Sequence, residues 1–580
     1  MELPRGQALT LALGVALMAA VLGLGVPTPA AWASSELERP ASDTRPPRGY
    51  ALSAKQVVRI AERGAKVRAE RRRHRRFEPI AYTRGPGRWQ VSWFDSGDEV
   101  AQARVDDASG AVLEEWTGEQ VAWTMARGYD GAFGRKLNAP YVWIPLCVLF
   151  LAPFVDRRRP FRLLHLDLLV LLGFGVSHVF FNRGEIGVSV PLVYPVLLYL
   201  LARLAWTGLR PREVGERLVP HVPIKWLALA LLCLVPLRVG LNVVDSHVID
   251  VGYAGVIGAD RVADAKPLYE GAFSRDVEHG DTYGPLNYLL YLPFEQALGW
   301  SGGWSDLAAA HAAAIAFDLA TLLGLVLLGR RLRAGREGRE LGVALGYAWA
   351  TYPYALFALQ TNSNDGLVAL CTVLALLALT LEPARQGLSA AARAGAVALG
   401  TAAKFAPLVL APLLATAGCP RRLGRGRQAL AFCAVLALLL AAALVPFLPD
   451  GGMRELYDRT LGYQAGRPSP FSVWGQAPSL GWLQTAVEGA TALFALALAF
   501  VPRRKTPLQV AALAAGALIV LQLGATHWFY LYVVWFAPLA LVALLGRYRG
   551  PAIGPQRPAA GWNESSPAEA RAVRRETVPA

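Results

Sequence analysis

Carboxylates, cations and aromatic hydroxyls gather at the edges of apolar runs in four separated stretches of this 580-residue chain. The first holds Asp245, Asp250, Tyr253 and Tyr269, then "GDTYGP" (280–285) with Asp281 and Tyr283. The second is "TNSND" (361–365), ending in Asn364 and Asp365. The third, "YQAGRPSPFSVWG" (463–475), carries Arg467 and Ser469, and the fourth, "THWFYLY" (526–532), carries His527 and Tyr530. Lys404 stands inside "GTAAKFAPLVLAP". Ionisable groups at membrane depth are costly and point by default to a functional site. Acids and cations held at one level suit a reaction between a neutral nucleophile and a phosphate-bearing donor. Each group also has a plain structural reading. Asp250, Asn364 and Asp365 are candidate helix caps. Lys404 and Arg467 are candidate snorkelling cations, and His527, Trp528, Tyr530 and Tyr532 a candidate interfacial aromatic belt. What favours a site is their convergence on one face.

The elements that must position these groups are membrane helices. The chain is 54% hydrophobic and 17% charged, where soluble proteins carry about 25% charged residues. Apolar intervals read as spans at 141–155, 163–181, 188–207, 225–243, 306–329, 341–359, 365–381, 389–402, 404–417, 428–447, 482–501, 507–524 and 528–546, about 13 in all. The net charge of +15 lies mostly in short loops such as "DRRRPFR" (156–162) and "RRLRAGREGR" (330–339). That placement is a topology signal rather than a nucleic-acid footprint, so no nucleic-acid partner is expected. It puts the four chemical stretches on the face opposite the basic loops, outside the cell. Parity makes Tyr283–Leu298 a helix on the outer surface rather than a span, and 389–417 a broken hairpin around Lys404 and Pro407. Cys147, Cys233, Cys371, Cys419 and Cys433 are scattered without a CxxC, which supports neither a disulfide framework nor a metal site.

Residues 1–33 read as a signal peptide or N-terminal anchor, with Arg5, an apolar core over 8–26 and Ala31-Trp32-Ala33. Residues 34–138 read as an extracytoplasmic α+β domain: a helix over Ser53–Arg76, then a β-meander over Arg88–Trp116 turning at Ser96-Gly97 and Ser109-Gly110. The Arg71–Arg76 cluster reads first as a solvated helix end, with an anionic polymer or lipid headgroup as the alternative. Residues 139–223 add three membrane helices, and the tail at 547–580 reads as disordered and cytoplasmic.

From about Ile224 to Gly546 the chain resembles the GT-C superfamily of integral-membrane glycosyltransferases, closest to the actinobacterial polyprenyl-phosphate-mannose-dependent branch. The resemblance is carried by "IDVGYAGVIGADRVADAKPLY", "TYGPLNYLLYLP", "NSNDGLVAL", "GTAAKFAPLVLAP", "RPSPFSVWG" and "HWFYLYVVWFAP", in that order. The segment before it, ending in "D-x-x-x-G-x-V-L", resembles the PepSY class of small exported domains. Four spans and an exported domain before the first catalytic helix depart from the GT-C pattern, and the acceptor side carries no diagnostic motif. The resemblance implies inverting transfer of a mannose-like sugar from a polyprenyl-phosphate donor to an envelope glycan or glycolipid, in a bacterial plasma membrane. It implies neither a nucleotide nor a metal cofactor. By the same resemblance Asp250 is the general base, with Asp245 as runner-up. Arg467, Lys404 and His527 face the leaving phosphate, Asp281 and Asn364 bind sugar hydroxyls, and Tyr283 and Tyr530 orient the ring. A transporter is the main rival, yet no internal repeat is visible. A non-catalytic envelope scaffold or sensor is the second rival, and a family member that has lost activity the third.

Overall fold

The computed structural model describes residues 37–549, apart from 129–132, 219–221, 271–272, 274–276, 278, 305–306, 382–385 and 419–424. The segment read as a signal or anchor, Cys419 and the tail beyond Arg549 lie outside the described residues. The chain divides into a small α+β part and a helical part whose apolar helices make it a membrane protein.

Five antiparallel strands, β1 (Leu37–Glu38), β2 (Glu78–Arg84), β3 (Arg88–Asp95), β4 (Asp98–Asp106) and β5 (Val112–Thr117), lie in sequence order. β3 to β5 are the meander read from the sequence, and β2 extends it. Ser96 and Gly97 both take positive φ (55° and 102°), the backbone that a two-residue hairpin turn demands. Trp89, Val91 and Trp93 of β3 are fully buried against Val57, Ala61 and Val67. Trp89 Nε1 donates to Asp107 Oδ1 (2.8 Å), and the same carboxylate accepts the N–H groups of Ala51 (2.6 Å) and Leu52 (3.0 Å). One acid thereby ties the sheet to the start of the first helix.

The helix expected over Ser53–Arg76 is two helices, α1 (Ala54–Ala61) and α2 (Ala65–Arg71). α1 begins as expected at Ser53, whose N–H is met by the Gln56 side chain (2.8 Å). The break follows from a tertiary contact: Glu115 of β5 reaches the first turn of α2 and accepts the Lys66 N–H (3.0 Å). Beyond α2, Arg71, Arg72, Arg73, Arg75 and Arg76 are exposed. His74 is held between Asp95 (Nδ1–Oδ2, 2.8 Å) and Glu70 (Nε2–Oε1, 3.1 Å), and these carboxylates, Asp95 first, raise its pKa. The stability this cation contributes is therefore fully present below its unfolded value of about 6.5. It is lost as pH rises through the higher folded value. Hydrogen-exchange protection of α2 and β3 in the full chain is expected to fall a few-fold, as for a partly exposed ion pair, between roughly pH 6 and 8. His74→Asn should abolish that dependence, and a dependence that survives it would refute the assignment.

Helices occupy every interval read as a span. The longer helices of this part, two of them (α8 and α9) outside those intervals, are α3 (Pro140–Leu151), α4 (Leu163–Leu172), α5 (Phe174–Asn182), α6 (Ile186–Leu209), α7 (Ile224–Asp245), α8 (Asp250–Ala263), α9 (Pro285–Leu298), α10 (Ala308–Leu332), α11 (Gly335–Thr351), α12 (Pro353–Gln360), α13 (Asp365–Leu379), α14 (Gln386–Lys404), α15 (Arg425–Leu444), α16 (Gly481–Phe500), α17 (Pro507–Gly524) and α18 (Val533–Leu545), while 404–417 holds shorter helical turns. Among the described residues seven segments are long and apolar enough to cross a membrane: Leu163–Asn182, Ile186–Leu209, Ile224–Asp245, Ala308–Leu332, Gly426–Phe447, Pro478–Phe500 and Pro507–Gly524. The other span intervals hold shorter or more polar helices, such as the 12-residue α3, about 18 Å long against a hydrocarbon core of about 30 Å. α9, read as a surface helix, is not among the seven.

α17 runs through the middle of the bundle, while α7, α15 and α16 lie at its edge and turn leucines outward, Leu232 and Leu237 of α7 among them. Such apolar surface is suited to lipid rather than water. α7 is pinned inward by Arg238, which donates to both oxygens of Asp318 (2.7 and 2.8 Å) and to Ala350 O (2.8 Å). Trp349 Nε1 completes the buried acid's shell (3.0 Å).

Candidate active site

Four residues separate the end of α7 at Asp245 from the start of α8 at Asp250. This connector is laced to the turn before α13: His247 N–H bonds Gln360 O (3.3 Å) and Ile249 N–H bonds Thr361 O (3.1 Å). Asn362 sits at positive φ (51°), a conformation that asparagine tolerates. Its amide nitrogen donates to Ser246 Oγ and His247 O (2.9 Å each), and its oxygen accepts from Asn242 (2.8 Å). Gly252 permits the close approach, since a Cβ there would lie 2.3 Å from Asn362 O. The first chemical stretch and "TNSND" are therefore one structural piece.

Asp250 projects from the edge of that piece. It is the first residue of α8, whose cap is Ile249, and its Oδ1 meets only the adjacent Val251 N–H (2.9 Å). Its side chain is exposed, yet protein surrounds it closely enough that desolvation pushes the carboxyl up from the ordinary value. The two facts agree if the carboxylate lies in a recess that water enters but whose walls displace bulk solvent. Arg467 and Lys404 pull the other way by charge, and Asp365 adds to the rise.

One wall of the recess is built around Lys404, the last residue of α14. Phe405 at φ 49° ends that helix, and the broken segment continues as a 3₁₀ turn over Ala406–Leu410 and a short helix over Ala411–Thr416. Lys404 Nζ donates to Asn364 Oδ1 (2.8 Å) and Asp365 Oδ1 (2.6 Å). It also lies 5.4–5.7 Å from the ring centres of Trp535, Tyr532 and Tyr283, within cation–π range. Trp535 Nε1 shares Asp365 Oδ1 (2.7 Å), and Asn364 Nδ2 donates to Asn287 Oδ1 (2.9 Å). Asp365 Oδ2 is buried without a hydrogen-bond partner among the described residues. Asn364 occupies the cap position of α13, but its side chain makes no cap bond and turns into this cluster. Lys404 does not snorkel: two of its three donors are engaged internally, by Asn364 and Asp365.

A second cluster, whose Arg467 also acts by charge on Asp250, holds Arg467, Ser469 and His527. The Arg467 guanidinium lies against the rings of Trp123 (5.3 Å) and Tyr463 (6.0 Å), and its Nε is buried without a hydrogen-bond partner. Ser469 Oγ accepts the Phe471 N–H (3.3 Å) and lies 2.9 Å from His527 Nδ1. The serine hydroxyl and the imidazole therefore share one hydrogen bond through Nδ1. Burial, then the charges of Arg467 and Lys404, push His527 well below the ordinary histidine value. That direction favours the neutral imidazole. Tyr283 and Tyr532, half-buried, feel the charges of Asp250, Asp365 and Arg467 and complete the lining.

Of the residues singled out in the sequence, the structure brings together Asp250, Tyr283, Asn364, Asp365, Lys404, Arg467, Ser469 and His527. Four stand elsewhere. Asp245 bonds the Lys136 N–H (3.2 Å), because the last turn of α7 faces the chain entering α3. Tyr253 is buried against Trp300 and Trp304. Asp281 is buried and paired with Arg459 (2.9 Å), which also binds Glu455 (2.8 Å), so it clamps one loop onto another. Tyr530 stacks on His178 at 4.4 Å and bonds Ser177 (2.6 Å) and Ser189 (3.1 Å), facing α5 and α6. Trp123, Asn287 and Trp535 join the site without having been singled out, and Tyr532, read only as a belt residue, joins it too. Tyr530 and Tyr532 share a 3₁₀ turn, so two residues of separation turn their side chains to different sides.

The arrangement offers an exposed carboxylate within the electrostatic reach of a guanidinium and an ammonium, which also act on an imidazole. Among the described residues no group of three or more His, Cys, Asp or Glu is placed to hold a metal ion. No protein-family model matches this chain, and no curated protein matches it.

Proposed function

We propose that the protein is a membrane glycosyltransferase of GT-C-like architecture that moves a mannose-like sugar from a polyprenyl-phosphate donor to an envelope glycan or glycolipid, with inversion. In this reading about 13 segments cross or enter a bacterial plasma membrane. The N-terminal domain, PepSY-like, and the site face outward, and the C-terminus is cytoplasmic. The observation that carries the reading is the recess itself. Exposed Asp250 feels the charges of Arg467 and Lys404, the same two cations that act on His527, where α7, α14 and α17 finish and α13 and α18 begin.

The chemistry follows from these positions. An acceptor hydroxyl is a poor nucleophile at neutral pH, so a positioned carboxylate must take its proton. Asp250 receives that proton as the hydroxyl oxygen bonds the anomeric carbon. The carbon–oxygen bond to the phosphate breaks and its electron pair leaves with polyprenyl phosphate. Arg467, Lys404 and His527 meet the growing negative charge in a partly dry site, where such donors act most strongly. The raised carboxyl suits a base, because a higher pKa strengthens proton abstraction.

The test is reconstitution. Purified protein in nanodiscs, supplied with polyprenyl-phosphate-mannose and a lipid-linked glycan acceptor, should release polyprenyl phosphate in step with acceptor glycosylation. Release that requires no protein, or no release across a panel of polyprenyl-phosphate hexoses and acceptors, would overturn the reading.

A further inference from the structure

The element immediately following β5 enters the recess. Glu119–Ala122 and Thr124–Arg127 form two short turns, and half-buried Trp123 stands between them. Its ring lies 5.3 Å from the Arg467 guanidinium carbon, 5.8 Å from the His527 ring and 5.5 Å, edge-on, from Phe471. With Tyr463 it holds Arg467 by aromatic contact. No hydrogen bond or ion pair engages the guanidinium among the described residues, and its Nε is buried without a hydrogen-bond partner. An arginine fixed by rings, with its donors unspent, is set for an anion.

Trp123 is in turn fixed to the sheet domain and to the helices. Its N–H bonds Glu119 O (2.9 Å), and Ala126 N–H bonds its carbonyl (2.9 Å). Buried Arg127 donates to Gln120 O (2.8 Å) and Val121 O (3.1 Å) and lies over the Trp116 ring of β5 at 5.6 Å. Gln120 Nε2 reaches Gly184 O (3.0 Å), after α5. A continuous packed track therefore runs from β5 through Arg127 and Trp123 to Arg467.

We propose that Trp123 is a positioning residue for Arg467, through which the N-terminal domain sets how tightly the donor phosphate is held. This rests on the transferase reading, in which Arg467 meets that phosphate. Removing the ring while keeping the arginine leaves a mobile guanidinium, so donor affinity should fall more than turnover.

The experiment uses full-length protein in nanodiscs, with polyprenyl phosphate as the binding probe and the transfer assay alongside. Trp123→Ala should weaken polyprenyl phosphate binding and raise donor KM about 3- to 30-fold, the range expected of a cation–π contact, with kcat changed far less. Trp123→Phe, which keeps a ring, should restore most of the affinity and controls for folding. In an Arg467→Ala background, Trp123→Ala should add little. Unchanged binding in Trp123→Ala, failure of Phe to restore it, or a loss of equal size with and without Arg467 would overturn the inference alone. Wild-type protein that binds no polyprenyl phosphate would overturn the transferase reading, and this inference with it.

Discussion

Replacing Asp250 with Asn is expected to lower turnover by about 100- to 10,000-fold, the contribution of a positioned general base, without loosening the fold. The second half of that expectation comes from the sign of the carboxyl's shift. Its surroundings raise its pKa, so the folded state prefers the protonated acid. The associated stability is fully present below the unfolded value of about 3.9 and is lost as pH rises through the folded value. At neutral pH the wild type carries that cost, which the neutral amide removes. Thermal unfolding should therefore show Asp250→Asn at least as stable as wild type while its sugar transfer collapses, the trade expected of a strained site. The acid limb of the wild-type rate profile should lie above the ordinary carboxylate range. An inactive variant that also unfolds early would point to a structural role for Asp250, and an active one would remove it as the base.

The second large effect is expected at Lys404. Lys404→Met leaves Asp365, a fully buried carboxylate, with only the Trp535 N–H on one oxygen and nothing on the other. Breaking a buried ion pair from one side costs about 3–5 kcal/mol, most of it the penalty of the stranded charge. Asp365→Asn in the same chain should recover a large part, because the charge goes with the partner. Equilibrium unfolding of both single variants and the double variant measures this directly as a coupling energy. A Lys404→Met protein as stable as wild type would show that Asp365 is not a charged partner in the fold. Transfer should be lost in all three variants, since the recess loses a cation in two of them and its alignment in the third.

Much of the architecture was legible because it follows from periodicity. Long apolar runs read as helices, Ser53 as a helix start, and Ser96-Gly97 as a hairpin turn. The single helix over Ser53–Arg76 failed where Glu115, far along the chain, claims the start of α2. The site was legible at the level of segments. Acids and cations are too costly near lipid to be incidental, so each of the four stretches held residues that meet. Side-chain direction was not legible. Asp245 and Asp250 look alike in sequence, yet one faces Lys136 and the other the recess. Tyr530 was favoured where Tyr532 lines the site. Trp123 gave no signal, since a lone tryptophan between two polar turns has no periodicity to read.

The lacing between the α7–α8 connector and the Gln360–Asn362 turn has a mechanical consequence. Helices that cross a bilayer tilt and slide as its thickness changes, and a catalytic distance spanning two independently anchored helices would drift with them. Here Asp250, the proposed base, rides on the same short truss as Asn364 and Asp365, which grip Lys404. Asp250 and the Lys404 ammonium therefore travel together, and in the proposed reaction their spacing is insulated from the depth at which lipid holds the rest of the protein.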